Sequence, residues 1–311
     1  MKRITSISIS QIQNLYGDKK ALEISKAIGA EAVDFDLTGF DCRKPETIYG
    51  KSDEEIYSYF SGLKEYADSI GLEIGQTHGR LSGFGMFWGV KNTPEADKMY
   101  FENIRRDCLA TKALGAKYCV VHSLSTIHFG PDADRKLMQD LNFEMFNRSL
   151  PYAKQYGVKI ATETLGDAVK YDCCDFFGNM NEFIESYERI CSVGDNADYL
   201  TVCMDTGHTN KATRFNNNPL PADAIRMLKG KIEVLHLNDN DTLTDQHKIP
   251  LTGCIDWKDV FDALDEIEYS GYYNMELALE NIGGPNMEVE SAEYAIKVMK
   301  NLLKTRYGEE K

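Results

Sequence analysis

The feature that most constrains this chain is a short apolar run followed by a long amphipathic stretch, repeated eight times. Residues 4–10, 32–37, 72–78, 118–123, 158–164, 200–205, 232–239 and 272–277 read as strands. Residues 19–28, 53–70, 94–114, 135–156, 181–192, 221–229, 257–267 and 288–303 read as helices, with apolar positions three and four apart, as at Leu109, Ala113 and Leu114. Gly29, Gly71, Gly115 and Gly157 stand where four of these helices stop, which suits a left-handed cap before the next strand. Eight strands alternating with eight helices give a parallel sheet that closes, so the pattern predicts a single (β/α)8 TIM barrel with residues 1–311 as one domain. An open doubly wound sheet would carry a glycine-rich phosphate turn after an early strand, and neither GxGxxG nor GxxxxGKS occurs.

Composition narrows the partners. The 42% hydrophobic share fills a core, while no window approaches the ~20 apolar residues of a membrane span, so no membrane association is expected. Met1-Lys2-Arg3 leads into alternating Ile and Ser, which reads as a first strand rather than a signal peptide and predicts a cytoplasmic address. None of the eight cysteines forms a CxxC pair, and all are expected as free thiols. A net charge of -14 argues against nucleic acid, whose binders use a basic face to neutralise phosphates.

The chemistry lies where ionisable residues interrupt apolar strands. Catalytic groups of a barrel come from the C-terminal ends of strands and the loops beyond, and all six histidines fall there. His78, His122 and His236 end or nearly end strands, His208 and His247 follow in loops, and His128 reads as an ordinary loop residue. Glu163, Asp205 and Glu276 each place a carboxylate near the end of an apolar strand. Alone, His122 reads as a hydrogen-bonded core histidine, and either glutamate is as well explained by a basic partner across the barrel. Together they put a ligand type at one level on strands five to eight, where burying bare carboxylates is costly and a cation removes the cost. An oxygen and nitrogen donor set suits Mn, Mg, Co or Zn.

These residues resemble the xylose isomerase-like barrel superfamily of sugar (phosphate) isomerases and epimerases. The resemblance is carried in order by Glu163, Asp205-Thr206-Gly207-His208, His236-Leu237-Asn238-Asp239, Asp245-Gln246-His247, Gly253-Cys254-Ile255-Asp256-Trp257 and Glu276. It implies one divalent ion held by Glu163, Asp205, His236 and Glu276, with Mn, Mg or Co favoured over Zn. It implies further that Glu163 and Glu276 double as acid and base around an enediolate, that His208 contacts a substrate oxygen, and that the partner is a small carbohydrate. Ketose 3-epimerases usually carry an arginine after strand seven, whereas Lys248 is the only basic side chain between His236 and Trp257 here. Their Pro-Gly-x-Gly turn is replaced by Pro250-Leu251-Thr252-Gly253-Cys254. Both departures argue against a simple free ketohexose.

Three competing readings follow from the same residues. Zinc-dependent apurinic endonucleases of this superfamily use nine ligands, and His78, His122, Glu163, Asp205, His208, His236, Asp245, His247 and Glu276 supply a candidate for each. An inositol or polyol-acid dehydratase would use the same metal and glutamates, and an inactive barrel would bind a sugar as a sensor. The aromatic loop around Trp88 reads either as a lid that stacks on a sugar or as a contact in a homo-oligomer. Gly283-Gly284-Pro285 stands where barrels often bind phosphate.

Overall fold

The structure is a computed structural model, and it describes residues 3–215 and 217–308. Eight parallel strands form the sheet: β1 (Thr5–Ser8), β2 (Ala32–Asp36), β3 (Glu73–His78), β4 (Tyr118–His122), β5 (Lys159–Glu163), β6 (Leu200–Asp205), β7 (Ile232–His236) and β8 (Tyr273–Met275). They pair in the order β7-β6-β5-β4-β3-β2-β1-β8. Closure comes from a parallel bridge between Leu237 and Met275, with Leu237 N donating to Asn274 O at 2.8 Å. The result is the TIM barrel expected from the alternation.

Around the barrel run α1 (Asp18–Ala27), α2 (Asp53–Ser69), α3 (Pro94–Ala113), α4 (Arg135–Tyr156), α5 (Met180–Cys191), α6 (Thr206–Ala212), α7 (Pro221–Met227), α8 (Trp257–Glu266) and α9 (Glu288–Tyr307). Their starts are written in the sequence: Ser52 and Glu55 form a capping box on α2, Thr93 precedes Pro94 on α3, and Asp256 caps α8. Gly29, Gly71, Gly115 and Gly157 all have positive φ, as expected of residues that end helices before a strand. One continuous apolar core lies between strands and helices. All eight cysteines are free thiols, with Cys108, Cys119 and Cys203 buried.

Several elements are shorter than expected, such as β7, which stops at His236 rather than at residue 239, and two differences bear on the site. The first strand ends at Ser8, because Ser10–Tyr16 turns into a short helix. The stretch 206–212, taken as loop, is α6, with His208 in its first turn.

The site is placed by strand alternation. On β4 to β7, Val120, Ala161, Cys203 and Val234 form a small apolar plug of their own inside the barrel. Side chains two residues on point the same way, so His122, Glu163, Asp205 and His236 stand one layer above it. On the remaining strands the matching layer is polar: Ser6 Oγ donates to Asn274 Oδ1 at 2.8 Å and Gln76 Nε2 to Asp34 Oδ2 at 3.2 Å.

Asp239 and Trp257 fasten the loop after β7. Asp239 is wholly buried, and it accepts from Trp257 Nε1 at 2.8 Å, Asn240 N at 2.9 Å and Ile255 N at 3.2 Å. A Cβ on Gly253 would fall 2.2 Å from Asp239 Oδ1, so only glycine passes there. Trp257→Phe keeps the ring but leaves a buried carboxylate oxygen one donor short. It is expected to lower stability by about 1–3 kcal/mol, read as a lower urea midpoint with an unchanged m-value.

Candidate metal centre

The hub of the barrel mouth is Glu163, wholly buried and encircled by imidazoles. His208 Nδ1 lies 3.0 Å from Oε1, while His122 Nε2 (3.1 Å), His236 Nδ1 (3.3 Å) and His78 Nε2 (3.6 Å) face Oε2. Glu276, just past β8, stands 3.3 Å from His236 Nδ1 and is partly exposed to the cavity. Asp245 Oδ2 lies 3.6 Å from His208 Nε2 and 3.4 Å from His247 Nε2. All nine side chains singled out as ligand types therefore converge.

Eight of them form three groups, each spanning no more than 4.8 Å: His78, Glu163 and His236 and the quartet Glu163, Asp205, His236 and Glu276 share two residues, while His208, Asp245 and His247 stand apart. Both Glu163 oxygens, His122 Nε2 and His236 Nδ1 are buried without a hydrogen bond. Were these imidazole nitrogens unprotonated, buried acceptors would face one another at high cost, so either a proton or a cation must lie between them. A cation supplies the missing partner, so the donor set fits a divalent metal.

The supporting residues are equally specific. Asp205 Oδ1 accepts His208 N at 2.6 Å, capping α6 and fixing His208 at once. Its Oδ2 accepts Asn238 Nδ2 at 2.8 Å, and a Cβ on Gly207 would lie 1.8 Å from Asn238 Oδ1. The glycine of Asp-Thr-Gly-His is thus required by the Asn of His-Leu-Asn-Asp. His247 has φ +41, a left-handed conformation rare outside glycine and frequent at functional positions.

Sequence reasoning missed Asp34. It is buried, and its Oδ2 faces His236 Nε2 at 3.2 Å while accepting Ser8 Oγ at 2.9 Å. A carboxylate on the far nitrogen of a ligating histidine fixes its tautomer and raises its basicity. The signal was present, since Asp34 interrupts the apolar run Ala32-Val33-Asp34-Phe35 just as Glu163 interrupts its own strand.

Electrostatics follow from the packing. Burial would raise the Glu163 carboxyl, but His122 and His236 outweigh it and hold Glu163 well below the usual range. Glu276 is lowered in the same way by His236. Burial dominates at Asp205 and raises it, against the pull of His208. His78 and His247 are pushed up to about 9 against burial, by Glu163 and Glu276 for the first and by Asp245 and Glu276 for the second.

Other features resolve otherwise. His128 is structural, its Nδ1 accepting Trp88 N at 3.0 Å. Trp88 lies at the tip of a hairpin formed by Met86–Phe87 and Val90–Lys91 and lines a neighbouring cavity rather than the one around Glu276. The turn at Gly283-Gly284-Pro285 leads into α9, whose first turn carries Glu288 and Glu290 and would repel a phosphate. A larger depression of about 530 Å³ at the opposite end of the barrel holds none of the nine residues. That end of a barrel serves stability. Among the described residues no helix is long and apolar enough to cross a membrane.

Comparison with known proteins places this geometry in context. A profile of the family described as the xylose isomerase-like TIM barrel matches residues 22–302. The probable endonuclease 4 of Pediococcus pentosaceus is 30% identical over 164 residues, covering 50% of this chain and 49% of that protein. The chain spans about half the length of the first curated relatives it matches. A D-tagatose 3-epimerase-like protein is 21% identical, with a TM-score of 0.69 and 97% of both chains covered. The IolI protein, solved with a bound zinc atom, is 17% identical, with a TM-score of 0.67 and 97% of both chains covered. At such identities the two structures share the fold.

Two outcomes are expected. Asp34→Asn keeps the shape of the side chain but removes the charge behind His236, and metal affinity should fall about 10–100-fold in a competitive chelator titration. In metal-free protein the raised histidines stabilise the fold fully below about pH 6.5, and this contribution is lost as pH rises through about 9. A cation requires them neutral, so binding at pH 7 should release protons and weaken as pH falls. Calorimetry in buffers of different ionisation enthalpy reads the release; no buffer dependence would contradict it.

Proposed function

The chain belongs to the xylose isomerase-like TIM barrel family, and from that premise we propose that it is a metal-dependent sugar isomerase or epimerase. One observation carries the reading: Glu163 and Glu276 each approach His236 Nδ1 to 3.3 Å, and both line a cavity of about 290 Å³. That volume sits at the lower edge of the roughly 300–1,000 Å³ typical of small-molecule sites and suits a sugar unit. The net charge of -14 and the acidic rim at Asp36 and Asp245 favour such a substrate over a polyanion.

Glu163, Asp205, His236 and Glu276 would hold the cation, which supplies positive charge against the oxyanion that develops when a proton leaves the carbon beside a carbonyl. The chain itself moves the proton. Glu163 and Glu276 are both held ionised in the metal-free protein, the state a general base requires. Glu163 is locked by four histidines, whereas Glu276 reaches into the cavity. One glutamate takes a carbon-bound proton and the other returns one. Return to the opposite face gives an epimer, and return to the neighbouring carbon gives an isomer. A dehydratase would use the same first step and then expel a hydroxyl, leaving a product lighter by one water.

A second reading has its own observation. The groups His78–Glu163–His236 and His208–Asp245–His247 adjoin the quartet, which suits two or three cations activating water against a phosphodiester. The half-length likeness to an endonuclease 4 points the same way.

One experiment separates them: elemental analysis of protein purified without added metal, paired with deuterium uptake from solvent into a ketose panel and an abasic-duplex nicking assay. The isomerase reading expects about one Mn, Mg or Co per chain and exchange into a ketose, with Glu276→Gln lowering exchange about 10²–10⁴-fold at unchanged circular dichroism. Two or three zinc ions with nicking and no exchange would establish the hydrolase instead.

A further inference from the structure

Beside the main cavity lies an annex of about 230 Å³, and the two share Leu81, His122, His208 and Asp245 as a common wall. Its outer side is the indole of Trp88, about half exposed, with Ile127 and Leu165 as apolar walls. The Trp88 hairpin is pinned in place. Gly89 N donates to His128 O at 2.8 Å, and the His128 ring packs against both Phe87, stacked at 5.0 Å, and Trp88, edge-on at 5.2 Å. The platform is therefore pre-organised, which keeps the ordering cost of binding low.

Within the annex, Lys211, Asp167 and Asp245 already engage one another. Lys211 is 2% exposed, an unusual burial for an ammonium, and bridges Asp167 Oδ1 at 2.6 Å and Asp245 Oδ1 at 3.2 Å. Arg214 joins Asp172 Oδ1 at 2.9 Å. Asp175 Oδ2 accepts Ser125 Oγ at 2.6 Å and Thr126 N at 3.0 Å. An entering anion would have to break a buried ion pair to engage Lys211, which leaves it Lys170, 5.7 Å from the centre of the Trp88 ring, at the outer side. A neutral ring instead uses the indole, the apolar walls and the hydroxyls of Ser82 and Ser125.

We propose that the annex is a subsite for a second, uncharged sugar or aglycone ring, so that the substrate is a two-ring carbohydrate with its reacting unit in the cavity over Glu163 and Glu276. This rests on the carbohydrate reading of the main site. Lys211 is a positioning residue here: it neutralises Asp167 and holds Asp245 between annex and centre.

The chain has two tryptophans, and Trp257 is buried, so quenching of the exposed emission reports Trp88. Metal-loaded protein is titrated with D-fructose, D-tagatose, D-fructose 6-phosphate, and the ketose-ended disaccharides isomaltulose and lactulose, by fluorescence and calorimetry. The disaccharides are expected to bind roughly tenfold more tightly than their monosaccharides and to shift the Trp88 emission. Trp88→Ala, at an exposed hairpin tip, and Ile127→Phe, which narrows the annex, should each remove that advantage while monosaccharide binding, metal content and circular dichroism stay unchanged. Equal binding of one- and two-ring sugars, or a gain from the 6-phosphate matching that of the second ring, overturns the subsite and leaves the main-site reading standing. Trp88 emission that follows protein concentration instead of ligand makes the hairpin a subunit contact and also overturns it. Binding of no sugar at all sinks the carbohydrate reading, and the subsite with it.

Discussion

Everything at the mouth of this barrel depends on the cost of keeping carboxylates out of water and close together. Glu163 and Asp205 are wholly buried, with Glu276 and Asp245 beside them. Among the described residues, the ion pairs of Glu163 and Glu276 are with histidines alone. Histidine is the one partner that can be a proton-carrying cation in the empty protein and a neutral ligand beside a metal. The same set of residues is therefore compatible with folding before metal arrives and with a tight centre afterwards, and proton release joins the two states.

The barrel makes that arrangement possible because its strands are short and in register. An apolar inward residue at one position and an ionisable side chain two residues later is all each of β4 to β7 has to encode. Support then comes from residues that do two jobs: Asp205 caps α6 and faces the centre, and Asn238 orients Asp205 through the space that Gly207 leaves open. Binding sites built on strand ends in this way are stiffer than sites on loops, and the loops remain available for specificity. Trp88 on its hairpin and Asp245 with His247 after β7 lie on such loops.

How much of this could be read from the chain varies with the range of the interaction. Strands and helices were legible because periodicity, caps and left-handed glycines are local, and Gly29, Gly71, Gly115 and Gly157 mark helix ends in sequence and structure alike. His78, His122, Glu163, Asp205, His236 and Glu276 were legible because an ionisable residue at the end of an apolar strand is a local anomaly, and His208, Asp245 and His247 because they follow such strands closely. Asp34 carried the same anomaly, but its partner His236 lies 202 positions away, and only closure of the barrel brings them together. Helix α6 was hidden because its start depends on Asp205, a residue already spoken for as a ligand. Lys211 was not singled out in the sequence, because Asp167 and Asp245, which pair with it, come from two different loops.

The central claim, that these side chains form a metal centre, is tested most directly by anomalous diffraction from crystals of protein purified without added metal. Data collected on either side of the manganese, iron, cobalt and zinc edges would locate and identify each ion. The account predicts a strong peak enclosed by Glu163, Asp205, His236 and Glu276, with any further peak against His78 and His122 or against Asp245, His208 and His247. A quartet free of anomalous density, with the histidines paired to the carboxylates by hydrogen bonds alone after soaking in each metal, would contradict it.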